Sequence, residues 1–131
     1  VPQIGPSIPL WTFCAVLLAL TVKHYAADFV LQTNWMARGK EKLQGWPLPL
    51  AVHVLCHAGL VLGLTLLIAP HLWWLAIADA AIHGSIDRCK SLLSHWGGWG
   101  TTQAPFWWLL GGDQFLHQVT NVGLAVAFFI L

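Results

Sequence analysis

The stretch from His71 to Ser94, HLWWLAIADAAIHGSIDRCKSLLS, decides how this chain is read. Its length suits one helical crossing of a ~30 Å hydrocarbon layer, which takes about 20 residues. Leu, Ile, Ala and Trp fill much of it, yet Asp79, His83 and Asp87 interrupt it at intervals of four. That spacing puts all three on one helical face. An ionisable group in an apolar helix is costly unless it faces a protein interior, so such a stripe marks function. The expectation is a helix with an apolar outside and a chemically equipped inside.

The other apolar stretches repeat the pattern. His24-x-x-x-Asp28 lies in residues 10–31, His53-x-x-x-His57 in 48–69 and Asp113-x-x-x-His117 in 106–131, beside His83-x-x-x-Asp87 in 71–94. The pairs fall late in the first and third stretches and early in the second and fourth, so helices of alternating direction bring them to one depth. The predicted fold is all-α: a polytopic membrane protein, one domain over residues 1–131, in which four transmembrane helices form an antiparallel bundle. Residues 33–47 form a charged interfacial helix or loop on the cytoplasmic side, and Pro70 forces a tight turn between the second and third spans. Gly97 to Pro105 is loop by its glycine and proline content.

Composition agrees. The 131 residues are 57% hydrophobic and 8% charged, where soluble domains carry roughly 25% charge. That excludes an ordinary soluble enzyme. A net charge of +1 without a basic tract leaves no footprint for nucleic acid. Three cysteines, all in apolar stretches, do not make a disulfide framework. Val1 to Pro9 lacks the basic start of a cleavable signal, so the first span is expected to stay. Arg38, Lys40 and Lys42 after the first span, with Arg88 and Lys90 late in the third, mark one cytoplasmic side and put both termini on the other. Lys23, deep in the first span, must either snorkel or find a partner, and Asp79 is the nearest counter-charge for it.

The pairs divide into two layers: His24, His57, His83 and His117 above, and Asp28, His53, Asp87 and Asp113 one turn nearer the cytoplasm. Five imidazoles and three carboxylates suit one or two divalent transition metals, zinc first, with iron and manganese as alternatives. They suit calcium or magnesium poorly, since those ions prefer oxygen shells. Asp28, Asp87 and Asp113 are the candidate catalytic groups, bridging metals or acting as base. Asp79 and Asn121, one turn above the histidines, are placed either to orient ligand imidazoles through their second nitrogen or to bond between helices. Gln32 and Lys90 point to the cytoplasmic mouth, where Lys90 either meets an anionic group or snorkels to the headgroups. Packing explains Cys56 and Cys89, and interfacial residence explains His71 and His95.

The runs His24-Tyr25-Ala26-Ala27-Asp28-Phe29-Val30-Leu31-Gln32, His83-Gly84-Ser85-Ile86-Asp87-Arg88-Cys89-Lys90 and Asp113-Gln114-Phe115-Leu116-His117 resemble a family of small bacterial inner-membrane proteins of unknown function. The resemblance covers nearly the whole chain and implies a multi-pass protein of the bacterial inner (cytoplasmic) membrane. In general style the sequence is also similar to membrane-bound metal-dependent hydrolases, whose histidines and aspartates likewise lie within transmembrane helices.

Three readings of function fit this ligand set. The first is an intramembrane metal-dependent hydrolase acting on a lipid-like phosphate or ester. The second is a dimetal oxidase or desaturase. The third is non-enzymatic: a structural metal site, a metal or proton carrier, or an accessory subunit of a larger membrane complex. Membrane lipids are the expected partners in each.

Overall fold

The computed structural model describes residues 8–131, and the earlier part of the single-domain reading and of the leader reading lies outside them. Helix α1 (Leu10–Tyr25) runs without a break into a π-helical segment, Ala26–Leu31. A short α2 (Asn34–Lys40) follows, then α3 (Pro47–Ile68), α4 (Leu75–Gly97) and α5 (Ala104–Ile130). No strand occurs among the described residues. Helix α1 packs on α3 and α5, α4 packs on the same two, and α2 lies across α3 and α4.

Local chemistry sets the boundaries. Thr33 caps α2, its hydroxyl accepting from the Met36 amide at 3.3 Å. Proline stands in the first turn of both α3 and α5, where its missing N–H costs nothing. Gly98, at φ 62°, closes α4 in the left-handed conformation that glycine adopts without strain. The helix expected over 71–94 begins and ends later. Pro70 starts a separate 3₁₀ turn, Pro70–Leu72, and α4 begins only at Leu75 and continues to Gly97. The charged segment, expected as helix or loop, is helical over Asn34–Lys40.

The interior is divided. At one end Val16, Leu20, Val61, Leu72, Leu75 and Leu124 form an apolar core. At the other, His53, His57, His83, Asp87, Asp113 and His117 are buried together. Large apolar side chains cover the outside instead: Trp11 is 86% and Leu67 85% exposed, while His53 and His57 are 0%. Polar groups inside and bare apolar side chains outside reverse the arrangement that water imposes. Leu10–Leu31 and Pro47–Ile68 are each long and apolar enough to cross a membrane.

Candidate metal centre

All eight predicted ligands meet. Asp28, His53, His57 and His83 form one group, His24, His83 and His117 a second, and Asp87, Asp113 and His117 a third, with donor atoms in each within 4.8 Å of one another. His83 joins the first group to the second, and His117 the second to the third. Helical spacing explains the convergence, since one pair per long helix presents both members to the same interior. The π-helical turn carries Asp28 and keeps its Oδ2 3.1 Å from His24 Nε2. Such wide turns recur at functional sites. Where the turn ends, the Gln32 amide donates to the Asp28 carbonyl at 3.0 Å.

The donor spacing is that of a ligand cage. Tetrahedral bonds of ~2.0–2.1 Å place neighbouring donor atoms about 3.3–3.4 Å apart. Asp28 Oδ1 lies 2.9 Å from His57 Nε2, 3.3 Å from His53 Nε2 and 3.9 Å from His83 Nε2. His53 Nε2 is also 3.1 Å from His83 Nε2 and 3.4 Å from Asp87 Oδ2. One imidazole nitrogen makes one hydrogen bond, so this crowding exceeds what hydrogen bonding satisfies. His24 Nε2 and Asp113 Oδ1 are buried without an aligned hydrogen bond, although Asp28 Oδ2 and His117 Nε2 stand only 3.1 and 3.4 Å from them, a state that is expensive unless something binds there. The donor set therefore fits a divalent metal.

Two carboxylates straddle the groups. Asp28 turns Oδ1 to His53 and His57 and Oδ2 to His24. Asp87 turns Oδ1 to His117 at 3.3 Å and Oδ2 to His53 and His83. Beyond them a cavity of about 160 Å³ is lined by Asp28, Asp87 and Asp113 together with Gln32, Lys40 and Lys90. The three aspartates thus form the wall between the imidazoles and the mouth.

Of the two roles expected for Asp79 and Asn121, orienting an imidazole or bonding between helices, Asp79 takes the second and Asn121 neither, its bond lying within α5. Asp79 accepts from Lys23 Nζ at 3.1 and 3.3 Å, the counter-charge role. Asn121 donates to Gln118 Oε1 at 3.3 Å. Neither bonds an imidazole, and Nδ1 of His53 and of His57 has no partner among the described residues. Lys90 is held by Glu41 at 3.0 Å and stands 3.8 Å from Asp113 Oδ2. His71 and His95 are exposed and Cys56 and Cys89 are free thiols, all outside the ligand groups.

Sequence reasoning missed Lys40 as a site residue. By sequence it is a cytoplasmic marker, but it is buried, with Nζ 2.6 Å from Asp87 Oδ2 and 3.1 Å from His53 Nε2. The signal was the buried face Met36-x-x-Gly39-Lys40 of α2. Helix α2 is pinned from both sides. Ser91 Oγ donates to the Glu41 carbonyl at 2.9 Å, and Arg88 donates to the Lys42 carbonyl while its guanidinium covers the Trp46 ring at 4.2 Å. On the other side a Cβ at Gly39 would overlap the Pro49 ring. Gly39→Ala should therefore lift α2 off α3 and cost about 1–3 kcal/mol, the usual cost of overpacking. Thermal unfolding of the variant checks this, and an unchanged midpoint would show the contact to be loose.

A family model described as "Protein of unknown function (DUF3307)" matches residues 16–130. No curated protein and no solved structure matches the chain.

Proposed function

The chain belongs to the DUF3307 family, proteins of unknown function, and from that premise we propose a membrane-embedded metal-dependent hydrolase of a lipid-like phosphate or ester. In this reading α1, α3, α4 and α5 are four antiparallel spans of the bacterial inner membrane, with both termini outside the cytoplasm. Exposed apolar side chains on every long helix support it. The centre takes one or two zinc ions, with iron or manganese as alternatives.

The observation that carries the proposal is the crowding of eight donor atoms directly behind a cavity walled by Asp28, Asp87 and Asp113. A divalent ion held there by the aspartates and imidazoles would supply Lewis acidity, lowering the pKa of a water and polarising an ester oxygen. The chain's own residues do the rest. Asp28 and Asp87 fix the donor geometry from both flanks, and either can hold the proton taken from water. Lys40 and Lys90 place ammonium donors at the mouth, where an anionic ester can exchange for the carboxylates they now pair with. The apolar core at the far end keeps that side dry among the described residues, which leaves the mouth as the route for water.

Asp28, Asp87, Asp113 and Glu41 against Lys40 and Lys90 leave the cavity with two negative charges in excess before any cation binds. One divalent ion held there would neutralise that excess and a second would make the site positive, which favours an anionic substrate.

Asp28→Asn and Asp87→Asn, tested on metal-loaded protein against a panel of lipid phosphates and esters, should abolish turnover while the remaining imidazoles retain some metal. Lys90→Ala should chiefly raise KM, because it removes binding shared by substrate and transition state. Full activity in both aspartate variants would exclude the mechanism. A metal-loaded wild type inert on the whole panel would point instead to a structural or accessory role.

A further inference from the structure

Lys90 stands where three cavities meet. It lines the 160 Å³ cavity over the aspartates. It also lines a basic vestibule of about 530 Å³ with Arg38, Lys42 and His95. The third is a groove of about 320 Å³ between α4 and α5, walled by Ile86, Leu93, Trp108, Leu109 and Leu116. That groove has the room of roughly ten waters, and apart from Ser85, Lys90 and Asp113 its walls are apolar. Gly112 leaves it open, since a Cβ there would meet nothing within 4 Å. Asp113, the next residue, belongs both to the groove and to the ligand groups.

The geometry assigns the α4–α5 groove to the hydrocarbon chain of an anionic lipid whose headgroup sits beside Lys90, so that substrate reaches the centre sideways from the bilayer. This rests on the membrane reading of the proposed function and adds its route and its specificity. Two features select the occupant. Charge complementarity comes from Lys90 with Arg38 and Lys42, opposed by Glu41, which holds Lys90 at 3.0 Å. Continuity comes from Asp113: a chain in the groove carries its head past the third carboxylate of the centre. Glu41 then competes with the headgroup for Lys90, so removing its charge should strengthen the preference for anionic lipid.

The test is photolabelling of the whole protein in an uncharged maltoside detergent. The probe is a dodecyl phosphate with a diazirine on its chain, compared with the matching alcohol. Label should map to residues 85–93 and 108–116, and the phosphate should exceed the alcohol. Gly112→Phe should reduce labelling about tenfold, the cost of excluding a couple of methylenes. Lys90→Ala should remove the preference for phosphate, and Glu41→Gln should increase it. Label spread evenly over the outward faces of all the long helices would overturn the assignment, and so would equal labelling by the alcohol. Should Gly112→Phe fail to fold, the wild-type map and the Lys90 comparison still decide. No arm needs turnover or added metal. Localised, phosphate-dependent label in a protein without hydrolytic activity would keep this inference and remove the hydrolase, and diffuse label in an active enzyme would do the reverse.

Discussion

Asp28→Asn will strip the protein of most of its metal-dependent stability while leaving its shape unchanged. The substitution is isosteric, but it removes the charge from an oxygen lying 2.9 to 3.9 Å from three imidazole nitrogens. Loss of a group that only orients a ligand already costs about 10–100-fold in metal affinity, so loss of the carboxylate itself should cost at least about 100-fold. With metal held at 1,000 times the wild-type dissociation constant, binding stabilises the fold by about 4.1 kcal/mol, and a 100-fold weaker site keeps only about 1.4 kcal/mol. Unfolding midpoints in detergent, with and without chelator, read this directly. The wild type should show a large drop on chelation and Asp28→Asn a small one. Equal drops would take Asp28 out of the centre.

Breaking the Lys23–Asp79 pair should have an effect of similar size by a different route. Both side chains are almost wholly buried, 5% and 2% exposed, at a separation of 3.1 Å. Removing one partner strands the other charge in a low-dielectric interior, at about 3–5 kcal/mol. Lys23→Met or Asp79→Asn alone should therefore destabilise strongly, whereas Lys23→Met with Asp79→Leu should recover most of the loss, because apolar replacements of both ions are often neutral. The double-mutant cycle is read by unfolding in detergent. Additive losses would show that the two charges do not depend on each other.

The histidine and aspartate pairs were legible because four-residue spacing fixes a helical face whatever the neighbours do, and their positions along each stretch fix depth. The same logic found Asp79 for Lys23. It could not choose between Lys23 and an imidazole as the partner that Asp79 takes, since both lie within reach of that face, and the buried cation has the larger need. Lys40 was illegible for a different reason. A lysine beside a span reads as a topology marker, and its burial comes from Gly39 fitting against Pro49 and from Arg88 and Ser91 reaching residues 46 and 50 positions away. Nothing in Ala26–Leu31 announces a π-helical turn. The late start of α4 follows from the separate 3₁₀ turn after Pro70, which hydropathy alone does not reveal.

Whether the eight converging side chains hold a metal is read by elemental analysis, by mass spectrometry on protein purified in detergent without immobilised-metal chromatography. One or two equivalents of zinc, iron or manganese per chain are expected, with the value falling in a variant that replaces His53 and His83 by alanine. Less than a tenth of an equivalent of every transition metal, persisting after incubation with each ion and removal of the excess, would contradict the metal site.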